Sequence, residues 1–181
     1  SQKRDSYYSD AISALRGFAN STLNSSIVFS AGFNRRLFAY LENCSDFFPD
    51  KQNFIKKRVV LKVSDFRSSL TQGKFLAKKG IWVSEYRIES GLNCGGHAFA
   101  TDGYLMGPIL EEFKQQKQEL VTSLFGIYND ALLKLKQTSL QDIPDVDITV
   151  QGGIGTANEN TFLIDHFKLK RTGWATHPEQ I

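Results

Sequence analysis

The stretch Arg58-Val59-Val60-Leu61-Lys62-Val63-Ser64-Asp65 decides the fold class. Its first six residues are β-branched and apolar in the manner of a buried strand, and Ser64-Asp65 stands where a helix N-cap belongs. A helix then runs through Phe66, Leu70 and Phe75 to a Lys78-Lys79-Gly80 stop. Ile81 to Ile88 is the next strand, with Ile81, Val83, Tyr86 and Ile88 as its apolar residues. Strand, helix and strand in about 30 residues make a βαβ unit, which pairs its strands in parallel.

The same alternation extends both ways. Upstream, Ser6 to Asn20 carries Ile12, Leu15 and Phe18 at helical spacing, with Ser9 or Asp10 as the cap. Ser26 to Phe33 reads as a strand, Asn34 caps a helix bearing Leu37, Phe38 and Leu41, and Lys51 to Lys57 reads as a polar linker. Downstream, Pro108 suits the first turn of a long helix through Ile109, Phe113, Leu120, Leu124, Tyr128 and Leu132, with a break expected at Gly126. Asp147 to Gln151 is a fourth strand, Asn158 to Phe167 a helix, and Thr172 to Thr176 a fifth strand. Five strands separated by helices imply an α/β fold with a parallel sheet and right-handed crossovers.

Composition bounds the rest. A chain of 181 residues with 41% hydrophobic residues and 14 Phe can bury one core, so a single α/β domain over 1–181 is expected. A charged fraction of 23% excludes a disordered chain. No apolar run reaches the roughly 18–20 residues of a membrane span, and Ser1-Gln2-Lys3-Arg4-Asp5 has no signal-peptide apolar region. Membrane association is therefore not expected, and two cysteines point to a reducing cytoplasm. The net charge of +3 is not gathered into a stripe; Lys56-Lys57-Arg58 and Lys168 to Arg171 read as solvated strand flanks, so no nucleic-acid partner is expected.

Two loops carry chemistry. Gln151-Gly152-Gly153-Ile154-Gly155-Thr156 leaves a strand's carboxyl end and enters a helix, where missing Cβ atoms and a helix N-terminus suit a phosphate; a tight turn that needs glycine is the alternative. Glu89-Ser90-Gly91-Leu92-Asn93-Cys94-Gly95-Gly96-His97 also follows a strand, and its glycines let a planar ligand lie against the backbone. There His97 is either a general base or a structural histidine. Cys94 and His97 have a zinc-like spacing, but Cys44, His166 and His177 form no second close pair, so no metal site is read.

At these residues a family resemblance enters. Gly91-x-x-x-Gly95-Gly96-His97 resembles the Gly-x-Glu-Ala-Gly-Gly-His loop of nitronate monooxygenases and related FMN-dependent enoyl reductases. Gly152-Gly153-Ile154 is similar to that family's phosphate loop, and Thr172-Gly173-Trp174-Ala175-Thr176 to its final Met-Gly-Thr strand. Ser90 stands where the family has Gln, Asn93 where it has Glu, and Ala175 where it has Gly. The match runs from Val59 onward and implies the C-terminal half, about five strands, of a TIM-type (β/α) barrel. A whole barrel takes about 250 residues.

The resemblance implies FMN as cofactor and His97 as the base that removes a proton next to a nitro or carbonyl group of a small-molecule substrate. The cofactor contacts it implies are Lys62, Ser90, Gly91, Gly95, Gly96, Gln151, Gly152, Gly153, Gly155, Thr156 and Thr176. Lys62 either enters the barrel beside the flavin or lies solvated at a strand end. A non-catalytic module for FMN or a sugar phosphate is the alternative function, and a fragment whose glycines only make turns is a third. A half-barrel also implies a second copy or a missing N-terminal half, because its sheet edges are open.

Overall fold

The computed structural model describes residues 9–30, 32–89 and 106–174. The elements follow in the order α1 (Asp10–Ala19), β1 (Ser25–Phe29), α2 (Arg35–Tyr40), β2 (Lys57–Val63), α3 (Phe66–Ala77), β3 (Val83–Glu89), α4 (Met106–Lys134), β4 (Asp147–Gln151), α5 (Ala157–Phe167) and β5 (Thr172–Gly173). All neighbouring strands pair in parallel, in the order β1-β2-β3-β4-β5. Because every crossover steps the same way, right-handed connections stack the helices on one face. The sheet curls into a half-barrel, as the alternation of strands and helices implies.

Local chemistry explains the boundaries. Ser9, Asn34 and Asp65 cap their helices by accepting from the backbone N–H three residues on, Ile12, Leu37 and Ser68 respectively. After α3 the chain turns at Gly80, whose φ of +70° favours a residue without Cβ. Between β2 and β3 the register slips at Val59/Val60, and the extra residue Ser84 donates its hydroxyl to the Val59 carbonyl at 3.0 Å.

The core lies between sheet and helices. Leu61, Val63, Tyr86, Ile88, Ile148 and Val150 from the strands meet Leu76, Phe113, Leu120, Leu124 and Tyr128 from α3 and α4. The other face differs from a usual parallel sheet, which is apolar on both sides. In register, Val60 stands beside Glu85 and Asp147, Lys62 beside Arg87 and Thr149, and Glu89 beside Gln151 and Gly173. These rows face the concave side and are mostly charged.

Four expectations need correction. Lys57 is not a solvated linker residue: it is fully buried, opens β2, and its Nζ donates to the Ser21 carbonyl at 2.6 Å. Arg171 is not merely a solvated flank, since its guanidinium pairs with Glu85, buried on β3. Helix α4 runs unbroken through Gly126, because tertiary packing of Leu120, Leu124 and Tyr128 outweighs one glycine's entropy cost. Strand β5 covers Thr172–Gly173 and stops before Trp174, while Ala175 and Thr176 of the expected strand lie outside the described residues. No helix among the described residues is long and apolar enough to cross a membrane.

Candidate functional site

Ligands of open parallel sheets bind beyond the carboxyl ends of the strands. At that edge Lys62 Nζ lies 2.8 Å from Glu89 Oε1, an ion pair joining β2 to β3 on the concave face. Lys62 is a quarter exposed and Glu89 is buried, so the lysine reaches the inner face rather than solvent beyond the strand end. Glu89 is in register with Gln151. The loop carrying Ser90, Gly91, Gly95, Gly96 and His97 follows Glu89 in the chain, but those five residues, like Cys94 and Thr176, lie outside the described residues. The structure therefore brings Lys62, Gln151 and the Gly152 loop to one edge and leaves the remaining expected contacts unplaced.

The Gly152 loop can be read atom by atom. Gly152 and Gly153 have φ of +82° and +70°, so the turn itself calls for glycine there. The Gly152 N–H donates to the Gly173 carbonyl at 2.9 Å. The N–H groups of Gly155 and Thr156 converge on one oxygen, Glu159 Oε2, at 2.8 and 2.9 Å. The Glu159 N–H in turn donates to Thr156 Oγ1 at 3.2 Å, completing a capping box on α5. Hydrogen bonds from Gly155 and then Thr156 hold the Glu159 carboxyl below its ordinary value.

This geometry tests whether a phosphate fits. Two amides aimed at one oxyanion are the donor set a phosphate needs, and the Glu159 carboxylate stands in for it. Glu159 is exposed, so an external dianion has only a solvated side chain to displace. On the concave face the Lys62 ammonium is already paired with the Glu89 carboxylate. The described residues thus offer an external oxyanion two amide donors once Glu159 leaves them.

A second cluster escaped the sequence reading. Glu85 is buried on β3 and accepts from Thr149 Oγ1 at 2.6 Å and from Arg87 Nε at 2.9 Å, while Arg171 reaches its other oxygen. Burial pushes its carboxyl up, but the bonds from Thr149, Arg171 and Arg87 outweigh burial and hold it below the ordinary value. The alternation Glu85, Arg87, Glu89 along β3 was the available signal. Elsewhere, burial pushes the Cys44 thiol up, which disfavours a nucleophilic thiolate. Among the described residues no group of three or more His, Cys, Asp or Glu is arranged to hold a metal ion.

Fold and edge together define a parallel α/β half-barrel with a charged concave face and an oxyanion-type loop. No family model, curated protein or solved structure matches the chain.

Proposed function

We propose that the chain is an FMN-dependent oxidoreductase of the nitronate monooxygenase type, acting in the cytoplasm on a small molecule at the carboxyl edge of its half-barrel. One observation carries the reading. Glu89 and Gln151 are in-register neighbours on adjacent strands, and each immediately precedes one of the two glycine-rich stretches in the sequence.

In this reading the amides of Gly155 and Thr156 hold the phosphate, with Gly152, Gly153 and Thr176 beside it. Gln151, Ser90, Gly91, Gly95 and Gly96 leave room for the ring. Lys62, held by Glu89, presents its ammonium to the concave side, where it stabilises developing negative charge. His97 takes the proton from the carbon next to a nitro or carbonyl group. FMN, when bound, supplies the two-electron acceptor.

The test is FMN titration of the full chain, followed by its visible absorption, for the parent and for Glu159→Gln. Saturable binding is expected, tighter in Glu159→Gln because the competing carboxylate is gone. His97→Ala should keep the flavin and lose turnover. No spectral change with FMN in either protein overturns the proposal. A second reading, a non-catalytic module for FMN or a sugar phosphate, rests on the Gly155–Thr156 amide pair alone. Equal FMN binding by the parent and His97→Ala, with no turnover by either on nitroalkane or enone substrates, selects it.

A further inference from the structure

The outward face of α3 is cationic. Its exposed residues are Arg67, Thr71, Lys74 and Lys78, and the helix carries no acid. Spaced at i, i+4, i+7 and i+11, they fall on one line along the helix, roughly 16 Å long at about 1.5 Å per residue. Helix α2 widens this line into a face. The Phe33 ring lies 5.0 Å from Phe75 of α3, and the Arg35 guanidinium lies 5.2 Å from the Phe33 ring. Arg36 follows Arg35 and is also exposed. The fold gathers here cations that the sequence scatters, and none of them belongs to the glycine-rich loops of the flavin reading.

These charges are not neutralised within the chain. Arg35, Arg36, Arg67, Lys74 and Lys78 make no ion pair among the described residues. The acids between Arg35 and Lys78 are engaged elsewhere. Glu42 pairs with Lys79 and Asp46 with Lys56, both at 2.9 Å. Asp50 accepts from the Gln52 and Phe54 N–H groups, and Asp65 from the Ser68 N–H and the Ser64 hydroxyl. Of the chain's 19 acids only Asp5, Asp102 and Glu179 lie outside the described residues, too few to cancel five cations. Five also exceeds the net charge of +3, so the rest of the chain is net acidic and the molecule is polarised toward this face.

We propose that the α2–α3 face docks on the phosphate backbone of a nucleic-acid duplex, without reading its base sequence. Arginine forks and lysine ammoniums neutralise phosphates, and Thr71, between Arg67 and Lys74 on the same line, adds a hydroxyl donor. The exposed residues of α3 include no aromatic ring on which unpaired bases stack, which favours a duplex over a single strand. They include no large apolar side chain either, so a bilayer offers charge attraction without insertion. This docking goes beyond the flavin reading and does not depend on it.

Fluorescence anisotropy of the full chain, without FMN, against two short labelled DNA duplexes of unrelated sequence tests this. Both duplexes should bind alike, with micromolar Kd in about 0.1 M salt and log K falling against log salt with a slope of about −4. Replacing Lys74→Gln and Lys78→Gln together should weaken both duplexes at least about tenfold and reduce the slope by about 2. Both side chains are exposed, and far-UV dichroism checks that the variant is folded. Lys170→Gln, which removes one charge from the exposed segment before β5, should change Kd by less than about twofold. FMN titration should be the same in the double variant and the parent, so failure of docking and failure of the flavin reading are told apart. No duplex binding in about 0.1 M salt, or binding that the double variant leaves intact, overturns the proposal. Tighter binding to phosphatidylserine vesicles or to polyglutamate than to either duplex overturns it as well.

Discussion

Thr149 Oγ1 donates a 2.6 Å hydrogen bond to Glu85 Oε1, tying β4 to β3 on the concave face of the sheet. The carboxylate also takes Arg87 from its own strand and Arg171 from just before β5, so one side chain joins three strands' worth of chain. Among the described residues no strand stands opposite this face, and the ion-pair lattice occupies it in place of apolar packing.

Replacing Glu85 with Gln is therefore expected to destabilise the fold by about 2 kcal/mol at neutral pH, since the arginines lose their counter-charge. Thr149→Val should cost about 1–2 kcal/mol. The pH dependence has a definite sign. The folded carboxyl lies below the unfolded value of about 4.5, so its contribution is complete above that pH and fades as pH falls through the folded value. Urea unfolding of parent and Glu85→Gln should show a gap that closes in acid. A gap that widens below pH 4.5 would contradict this account.

Two glycines should respond in opposite directions. A Cβ on Gly73 of α3 would meet Tyr86 Oη at 2.4 Å and Leu124 Cδ1 at 2.8 Å. Alanine gains up to about 1 kcal/mol of helix propensity, but overpacking between α3, β3 and α4 costs about 1–3 kcal/mol, so Gly73→Ala should be net destabilising. Gly126 in α4 has nothing within 4 Å of its Cβ position, so Gly126→Ala should stabilise by about 0.5–1 kcal/mol. Thermal unfolding of the two variants decides the sign of each.

Much of this was legible in the sequence because local patterns and tertiary structure agree. The β-branched run to Val63, the Asp65 cap and the Gly80 stop each report one local preference, and the fold follows them. What was not legible depends on contacts between distant residues. Lys57 looks solvated in its basic run, yet the Ser21 carbonyl and the Phe18 ring, 5.1 Å from its Nζ, take it into the core. Glu159 reads as an ordinary helix acid, and only the loop's backbone turns it into the occupant of the amide pair that the glycines suggested for phosphate.

That burial of Lys57 makes a prediction. Its ammonium also lies 3.5 Å from Asp46, at the edge of a polar cavity of about 380 Å³ between α1 and the segment after α2. Lys57→Met keeps the stem's packing but strips the Ser21 carbonyl of its donor, which should cost about 1–3 kcal/mol. Asp46→Asn, at a partly exposed partner, should cost well under half as much. Chemical denaturation of the two variants measures the difference, and equal losses would show that the ion pair, not the Ser21 bond, dominates.

The last expectation concerns the cap of α5. Thr156 Oγ1 accepts from the Glu159 N–H, one of the helix's otherwise unpaired donors. Removing it with Thr156→Ala should cost about 1 kcal/mol, whereas Thr156→Ser, which keeps the oxygen, should cost far less. The loss should be local, because Leu169 and Phe167 anchor the other end of α5 in the core. Hydrogen exchange should then speed up at the Glu159 and Asn160 amides while those near Phe167 stay protected. The Glu159 half of the box follows its own titration: with its folded carboxyl below the ordinary value, it supports the cap above the unfolded value and releases Gly155 and Thr156 as the pH drops through the folded one. Exchange at those two amides should accordingly rise in acid beyond the intrinsic trend in the parent and not in Glu159→Gln.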